Sequence, residues 1–266
     1  MTSQPAQAER RVRLFVRGDL GAGRSLALAE GQAHYLARVM RLGAGDAIRI
    51  FNGRDGEWLA RIERMQRATV MVMVGQLLRA QSPESGPWLV FAPVKKSAAD
   101  YIVEKATELG AARIWPVITE RTIASRVPVA RLQATAVEAA EQCGRLTVPE
   151  ILLPATLSEL VAGWPPERPL LVAHPGAHAQ ARLILDVLAP FASNASGPAL
   201  PSPGLLVGPE GGLTASEVDV LATLPCAKVV HLGPRTLRAE TAVAALLACW
   251  QAVAGDWRDG NAPPKR

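Results

Sequence analysis

The chain has 266 residues, of which 49% are hydrophobic and 20% are charged, and its formal net charge is +5; this length allows one large domain or two modest ones with proper cores. Its three cysteines lie far apart without a C-x-x-C pair and its four histidines are scattered, which argues against a disulfide framework or a metal cluster and predicts a reducing compartment. Residues 1–11 lack the apolar core of a signal peptide, and no apolar run reaches the roughly 18 to 20 residues of a membrane span, so we expect a cytoplasmic protein with no membrane contact.

Positive charge is concentrated in the first third of the chain. Residues 1–81 contain 13 arginines, no lysine and seven acids, whereas residues 82–266 contain 16 basic and 17 acidic residues. Arginine suits bidentate contact with phosphate and stacking on bases. A GC-rich genome would explain arginine in place of lysine but not the asymmetry, so we predict that the first third binds nucleic acid.

Short hydrophobic runs separated by turn dipeptides predict a small β-barrel in residues 1–81. The predicted strands are 13–16, 25–29, 47–51, 57–62 and 69–78, and one helical stretch, 30–40, interrupts them. A short polar segment rich in proline, glycine and serine, residues 81–87, marks the predicted domain boundary.

Beyond this linker, strand and helix patterns alternate through residues 82–266. The predicted strands are 88–94, 113–118, 170–173, 204–207 and 228–232, and the predicted helices are 98–109, 129–143, 157–162, 214–224 and 242–253. Such alternation is typical of an α/β domain with a mostly parallel sheet covered on both faces. Residues 189–203, rich in proline, serine, alanine and glycine, are predicted to form an exposed loop.

Three of the later strands end in loops that contain glycine and proline. These loops begin at His174, Gly208 and Gly233, and we expect them to form one pocket because ligands bind beyond the carboxyl ends of strands in open α/β sheets. The loop Gly208-Pro209-Glu210-Gly211-Gly212 matches neither the P-loop nor the dinucleotide fingerprint and contains no lysine. It predicts either a ligand that is not polyanionic or a tight turn without a ligand. The next residues, Thr214 to Glu217, have the spacing of a capping box.

The last predicted helix is apolar nearly all round from residue 242 to 253, which indicates a buried helix. Arg235, Arg238, Glu240 and Thr241 precede that apolar stretch. Charged groups at the start of a buried helix are costly unless they pair or take part in chemistry. Two interpretations stay open here: an Arg238–Glu240 pair that caps the helix, or part of an active site.

Together these motifs resemble the RsmE family of 16S rRNA uridine-N3 methyltransferases, members of the SPOUT superfamily. The resembling stretches cover most of the chain in order: RLFV, HYLARVMRLGAGDAIRIFNGRDGEW, KKSAADYIVEKATELGA, EAAEQCGR, LLVGPEGGLTASEV and LGPRTLRAETA. The resemblance implies a PUA-like domain over residues 1–81 and a SPOUT methyltransferase domain over residues 82–266, with a trefoil knot spanning about residues 170–254. It also implies S-adenosylmethionine as the cofactor without a metal, 16S rRNA of the 30S ribosomal subunit as the substrate, and a homodimer.

The resemblance further implies roles for individual residues. Arg238, with Arg235 as the alternate, would stabilise the uracil anion, and Glu240 would either accept the N3 proton or orient Arg238. The residues implied for the cofactor are Ala173, Val207, Gly208, Pro209, Glu210, Gly211, Gly212, Leu232, Gly233, Leu237 and Thr241. Those implied for RNA are Arg13, Arg38, Arg41, Lys95 and Lys96. The chain departs from the family at Ala98, where a basic residue is usual, and at Pro175, where an acid is common, so we expect neither of those two contacts.

Three rival functions are considered. Another SPOUT methyltransferase, acting on a ribose 2′-OH or a tRNA guanine, would share the fold, but HYLARVMRL together with LRAETA favours the uridine-N3 family. A non-catalytic ribosome-assembly factor would be favoured by the loss of the glycine loop or of Arg238, and both are present. A nicotinamide dehydrogenase would need the fingerprint that is missing and would leave the basic N-terminal third unexplained.

Overall fold

Hydrophobic runs in the first third of the chain pair into one sheet of five strands. The structure, a computed structural model, describes residues 12–66, 69–124, 126–175, 181–192 and 201–259. The strands are β1 (Arg13–Phe15), β2 (Ser25–Ala27), β3 (Ala47–Phe51), β4 (Glu57–Gln66) and β5 (Thr69–Arg79). Their order is β1-β3-β4-β5-β2, in which β1 and β3 are parallel and the other neighbours are antiparallel. All five strands predicted for the small β-barrel are present.

The predicted helix between β2 and β3 is also present, in two parts. Helix α1 (Glu30–His34) continues into a π-helical turn, Tyr35–Val39. Leu36 on this turn is fully buried and joins Ile48 and Ile50 in the core of the sheet. Arg41, just after the turn, has a φ of 55°, a left-handed conformation that arginine seldom adopts. Helical periodicity alone gives no sign of the π-turn.

The chain divides into two compact units. The first contains the described residues up to Pro83 together with Ala140–Val148, and the second contains Glu84–Ala139 and the described part of Pro149–Ala262. The segment 140–148 includes the last turn of a helix that begins in the second unit. The sequence predicted a single boundary near residue 81, and it did not predict that residues 140–148 belong to the first unit.

A buried acid in the first unit is surrounded by arginines, one of which was predicted to contact RNA. Glu57 is 1% exposed, and the guanidinium of Arg79 donates to it through Nε at 2.7 Å, while Arg13 and Arg49 lie 3.5 and 3.6 Å away. Arg13 also donates to the carbonyl of Ala140 at 2.6 Å and to that of Arg145, and it covers the Phe51 ring. Both terminal amino groups of Arg13 therefore donate inside the unit, and 11% of its side chain is exposed. This burial argues against the RNA contact that was predicted for Arg13.

The second unit contains eight short strands and six α-helices in its described part. The strands are β6 (Trp88–Phe91), β7 (Arg113–Ile118), β8 (Glu150–Ile151), β9 (Ala155–Thr156), β10 (Leu170–Ala173), β11 (Arg182–Leu183), β12 (Gly204–Val207) and β13 (Ala227–His231). The helices are α2 (Lys96–Glu108), α3 (Val129–Cys143), α4 (Leu157–Gly163), α5 (Ile184–Ala192), α6 (Ala215–Ala222) and α7 (Ala239–Ala254), and a 3-10 turn, Asp256–Asp259, follows. The predicted α/β class is confirmed.

The strands of this sheet pair in parallel, in the order β11-β13-β10-β12-β6-β7-β8, with β9 beside β7. Strand β10 lies between β12 and β13, so that Ala173 pairs with Val207 on one side and with Val230 on the other. Parallel strands present their carboxyl ends at the same edge of the sheet. The three loops expected to meet therefore begin side by side.

Helix α5 overturns part of the predicted loop at 189–203. Residues 189–192 form the end of this helix, whose apolar side chains Ile184, Val187, Leu188 and Phe191 are buried. Pro190 lies inside the helix and, with the small residues after it, resembles a loop in sequence. Residues 193–200 of the predicted loop lie outside the described residues.

Helix α7 is buried along one face only. Val243, Leu246 and Leu247 are fully buried, whereas Ala244, Ala245 and other residues of the opposite face are partly exposed. The prediction of a helix buried all round is therefore correct for half of its circumference. Among the described helices, none has both the length and the apolar character needed to cross a membrane.

Candidate active site

The loops after β10, β12 and β13 and the start of α7 enclose a cavity of about 330 Å³, called here the loop cavity. Ten of the eleven residues predicted to hold a cofactor line it, and so do Arg235 and Arg238. The ten are Ala173, Val207, Gly208, Pro209, Glu210, Gly211, Gly212, Leu232, Gly233 and Leu237. Thr241, in the first turn of α7, lies outside the lining, although Ala239 and Ala242 on either side of it belong to it. The glycine loop therefore borders a cavity, as expected for the first of the two alternatives, a loop that holds a ligand.

Glycine is required at specific points of this cavity. Gly212 has a φ of +70° and Gly233 a φ of +101°, a region that residues with a side chain seldom adopt. A Cβ at Gly208 would lie 3.1 Å from the Leu213 side chain. The amide of Gly212 donates to the carbonyl of Pro209 at 2.8 Å and closes the turn. The backbone of the loop can therefore approach a ligand closely.

A second loop, after β7, holds the glycine loop in place. Arg121 donates through Nη1 to the carbonyl of Gly211 at 2.7 Å. The buried carboxylate of Glu217 accepts from the amide of Glu120 at 2.7 Å and from that of Thr214 at 2.9 Å, and the Thr214 hydroxyl accepts from the Glu217 amide. The predicted capping box is thus present, and Glu217 has a second task that the sequence does not reveal. Arg121 was missed because its partner lies 90 residues away.

The chemistry of the lining fits S-adenosylmethionine better than a polyphosphate. Val207, Leu213, Val230 and Leu232 give the cavity apolar walls, and no lysine lines it. A nucleotide polyphosphate normally needs a lysine or a run of glycine amides at a helix start. Among the described residues, no group of histidine, cysteine and acidic side chains could hold a metal ion.

Arg235 and Arg238 differ from the paired arginines of the first unit. Both are exposed at the wall of the loop cavity, and in the described part of the chain neither has a recorded ion pair or hydrogen bond from its guanidinium. Arg238 is the N-cap residue of α7 in an extended conformation, and its side chain makes no capping hydrogen bond. The Arg238–Glu240 cap pair is absent. Glu240 is half-buried in the first turn of α7 and does not line the cavity, so the structure does not bring it to the site.

A second cavity, of about 490 Å³ and called here the basic cavity, lies between the start of α2 and the segment before α3. Lys95, Lys96, Arg126 and Arg131 line it. Arg131 is tied to Asp100 at 2.8 Å, whereas the other three cations are exposed. The sequence predicted the two lysines and missed the two arginines, which come close to them only through the fold. Glu210 lines both cavities.

The two remaining RNA candidates lie in the first unit. Arg38 in the π-helical turn and Arg41 after it are both exposed, beside the 63% exposed Val39. Neither takes part in the Glu57 cluster. Both guanidinium groups are therefore accessible to a ligand.

Comparison with known proteins relates both units to RNA methyltransferases. A family described as the RNA methyltransferase domain matches residues 83–251, and one described as the RNA methyltransferase PUA domain matches residues 28–70. The chain is 30% identical to ribosomal RNA small subunit methyltransferase E of Rickettsia conorii, over 89% of this chain and 93% of the relative. It is 34% identical to the protein of that name from Synechocystis, over 84% and 72% of the two chains.

Solved structures agree with these sequence matches. The ribosomal RNA small subunit methyltransferase E of Neisseria gonorrhoeae bound to S-adenosyl methionine superposes with a TM-score of 0.78 at 26% identity, covering 91% of this chain and 97% of the other. A methyltransferase of Legionella pneumophila with the bound cofactor SAM gives the same TM-score at 28% identity, over 91% and 98% of the two chains.

Proposed function

The chain belongs to the ribosomal RNA small subunit methyltransferase E family, and from this premise we propose that it methylates N3 of a specific uracil in the 16S rRNA of the 30S subunit. It is an S-adenosylmethionine-dependent methyltransferase of 16S rRNA. The observation that supports the finer proposal is the loop cavity, which combines a glycine backbone, apolar walls and two unpaired arginines.

S-adenosylmethionine would occupy the loop cavity, where it supplies an electrophilic methyl group on a sulfonium. The ten lining residues predicted for it would contact it, with the backbone of the glycine loop approaching its adenosine. Thr241, outside the lining, drops out of the proposed set. Apolar walls exclude water and strengthen the electrostatic interactions of the site.

Arg238 is the proposed stabiliser of the reacting base. Uracil N3 carries a proton at neutral pH, and its removal leaves a negative charge spread over N3 and the two neighbouring carbonyl oxygens. A preorganised guanidinium beside that charge lowers the barrier, and its planar fork can reach two oxygens. Because Arg238 has no recorded partner and lines the cavity, its donors are available; Arg235 is the alternate.

The RNA would be held by exposed cations of both units. Arg38 and Arg41 of the first unit, with Lys95 and Lys96 of the second, are the proposed phosphate contacts. Such contacts can offset the cost of extruding the target base from its stack, about a few kcal/mol. Arg13, used internally, is not among them.

We also propose that the protein is a cytoplasmic homodimer with the knot that the resemblance implies. The apolar, half-exposed face of α7, with Ala244, Ala245 and Ala248, is suited to a helix of a second copy. Small side chains allow helix backbones to approach closely. Size-exclusion chromatography with light scattering tests this, and a monomer at micromolar concentration would contradict it.

The cofactor is tested by calorimetry with S-adenosylmethionine, S-adenosylhomocysteine, NAD and ATP. We expect binding of the first two only. Gly212→Ala should weaken that binding because it forces a side chain into a φ of +70°. Gly163→Ala, at the end of helix α4, is the matched control and should leave it unchanged, because its Cβ would make only an ordinary contact with Trp115 at 4.0 Å. Tight NAD binding without a response to S-adenosylhomocysteine would contradict the proposal.

The reaction is tested on 30S subunits from a strain that lacks this activity. We expect one methyl group on one uracil of 16S rRNA, with the product located at N3 by mass spectrometry. Methylation of a ribose 2′-OH or of a guanine would instead favour another member of the SPOUT superfamily. Binding of 30S subunits with no methyl transfer would favour a non-catalytic assembly factor.

A further inference from the structure

We propose that the basic cavity receives the target uridine and that Glu210, on the boundary between the two cavities, accepts the hydrogen bond from uracil N3–H and then its proton. This inference rests on the proposed function and assigns the substrate pocket and the proton acceptor. Of the residues that line the loop cavity, Glu210 is the one that also lines the basic cavity. A base in one cavity and a methyl donor in the other would meet beside it.

The size and charge of the basic cavity fit a nucleotide. Its volume of about 490 Å³ lies within the roughly 300 to 1,000 Å³ of small-molecule sites. Lys95, Lys96 and Arg126 are exposed and, in the described part of the chain, have no recorded ion pair. Helix α2 adds to the positive potential, since it starts at this cavity with no capping side chain and no acid in its first turn. A phosphate at the rim would neutralise these charges.

The remaining walls of the basic cavity are apolar. Phe91, Val94 and Leu132 are buried beneath it, and Ile123 stands 79% exposed at its edge. An isoleucine that exposed on a chain segment next to a cavity can cover the face of a planar ring. Apolar walls with cations at the rim suit an extruded base with its phosphate. A free polyanion would bind the cations but would make no favourable contact with the apolar walls.

The backbone that carries Glu210 is anchored from the same side. The carbonyl of the next residue, Gly211, accepts the 2.7 Å hydrogen bond from Arg121, and Arg121 begins the segment that continues to Ile123 and Arg126 in the wall of the basic cavity. One stretch of chain thus forms the substrate wall and fixes the loop that bears the carboxylate. Arg121 is a positioning residue in this scheme.

A carboxylate at this place selects uracil over cytosine. An ionised carboxylate only accepts hydrogen bonds, and uracil presents N3–H, whereas cytosine presents a lone pair at N3. With cytosine in the cavity, the lone pair of N3 would face a carboxylate oxygen of Glu210. The two acceptors repel each other, so cytosine would bind less well than uracil. No sequence motif predicted that Glu210 distinguishes uracil from cytosine. Glu240, which the resemblance suggested as the proton acceptor, lines neither cavity.

The proton transfer balances with the established activity. The N3–H bond breaks, its proton goes to a Glu210 carboxylate oxygen and its electron pair stays on N3. That pair forms the bond to the methyl carbon while the pair of the carbon–sulfur bond remains on sulfur, and the Glu210 proton is then lost to water. Arg238 stabilises the charge that develops on the uracil oxygens.

The test compares Glu210→Gln with Asp219→Asn, a control that removes one exposed carboxylate from helix α6, away from both cavities. Binding is measured on an RNA fragment of the target region with uracil or cytosine at the target position. We expect the wild type and the control to prefer uracil, and Glu210→Gln to lose most of that preference, since a glutamine amide can donate to cytosine N3. Because Glu210 also lines the loop cavity, S-adenosylmethionine affinity is measured by calorimetry for each variant, and the base preference is compared at a saturating cofactor concentration.

Kinetics give a second readout. Single-turnover methylation by Glu210→Gln should fall by about 10² to 10⁴-fold, the range for loss of a positioned base, and should recover in part as the pH rises, because solvent then removes more of the N3 proton. Glu210→Asp should retain the uracil preference with a smaller loss of rate. Lys95→Ala with Lys96→Ala should weaken RNA binding and leave cofactor binding intact, whereas the exposed Lys228→Ala should change neither.

Two outcomes would overturn the inference while leaving the methyltransferase assignment standing. One is a Glu210→Gln variant that keeps its uracil preference but loses S-adenosylmethionine binding, which would make Glu210 a cofactor ligand only. The other is a Lys95, Lys96 double variant with unchanged RNA affinity. If the wild type itself neither binds S-adenosylmethionine nor methylates 30S subunits, the proposed function fails first.

Discussion

Arginines serve opposite purposes in the two units of this molecule. In the first unit Arg13 and Arg79 surround the buried Glu57 and donate to the carbonyls at the end of helix α3. In the second unit Arg238 stands exposed at a cavity wall, with no recorded partner in the described part of the chain. The residue type is the same, but its role depends on which acceptors the fold places within reach.

The difference lies in the acceptors. At the end of helix α3, the carbonyls of Ala140, Gly144 and Arg145 accept hydrogen bonds from Arg13 and Arg79, so arginines supply donors to a helix C-terminus. Burial lowers the pKa of Arg13 to about 10, so it stays charged at neutral pH. At the start of helix α7, the Arg238 side chain makes no capping hydrogen bond. An excess of arginine in a sequence is therefore not a measure of its RNA-binding surface.

The largest effect should come from Glu57→Gln. Removing the charge leaves three arginines around a buried neutral side chain, and breaking such a buried pair costs about 3–5 kcal/mol of folding free energy. Because the chain has two units, hydrogen exchange analysed peptide by peptide is the suitable measurement. We expect loss of protection in β3, β4 and the end of α3, with S-adenosylmethionine binding unchanged.

Asp19→Asn is the control for that change. Asp19 lies in the same unit and pairs with Arg24 at 3.5 Å and Arg54 at 2.9 Å, but it is 72% exposed. Exposed pairs contribute about 0–1 kcal/mol. If Glu57→Gln and Asp19→Asn destabilise the first unit equally, the burial of Glu57 does not strengthen its ion pairs with the surrounding arginines.

Arg238→Ala should have the next largest effect, on rate and not on folding. Removing one preorganised donor for a developing charge costs about 10² to 10³-fold in rate. Melting temperature and S-adenosylmethionine affinity should change little, because the guanidinium has no recorded partner in the protein. Arg238→Lys should restore part of the loss, since an ammonium cannot span two oxygens. Single-turnover methylation beside a melting curve measures all three quantities.

A pH series separates a catalytic Arg238 from a structural one. If Arg238 stabilises the uracil anion, a higher pH should restore part of the rate of Arg238→Ala, because more uracil is then already deprotonated. A structural role instead predicts lower thermal stability, weaker cofactor binding and no rescue. A variant that methylates at the wild-type rate removes Arg238 from the mechanism.

Charge reversal at Arg38 and Arg41 should have a moderate effect on RNA binding. Each lost phosphate contact lowers the slope of log affinity against log salt by about one, so the double variant should lose about two. Arg17 and Arg64, also exposed in the first unit, are the matched control. If reversal of the control pair flattens the slope equally, the contribution comes from net charge and not from the π-helical turn.

Much of the fold was predictable because it depends on local pattern. The strand ends at Ala173 and Val207 follow from apolar runs that stop at glycine or proline, and the Thr214–Glu217 cap follows from spacing. Helix α5 was not predictable in the same way, because Pro190 and the small residues after it resemble a loop. The burial of the apolar side chains of α5 stabilises the helix despite Pro190, and the strength of that packing cannot be estimated from the sequence.

The site was predictable only where it is continuous in the chain. The glycine loop and Arg238 are adjacent to recognisable motifs, whereas Arg121 reaches Gly211 across 90 residues and Arg126 joins Lys95 through the fold. The internal hydrogen bonds of Arg13 were missed for a related reason: the carbonyls of Ala140 and Arg145, to which it donates, lie more than 120 residues away in the chain. Long-range partners decide whether a charged residue is free.

The smallest effect on RNA binding should come from Arg13→Met, which tests that last point directly. Methionine keeps an unbranched stem beside Phe51 but removes the hydrogen bonds to the carbonyls of Ala140 and Arg145, and a hydrogen bond from a charged donor contributes about 1.5–3 kcal/mol. The first unit should therefore unfold at a lower temperature. Below that temperature the salt dependence of RNA binding should equal that of the wild type, because only 11% of the Arg13 side chain is exposed and both of its terminal amino groups donate to carbonyls. A slope reduced by about one, as expected for each exposed arginine, would mean that Arg13 leaves its carbonyls to bind RNA, and the contrast between buried and exposed arginines would fail where it is most specific.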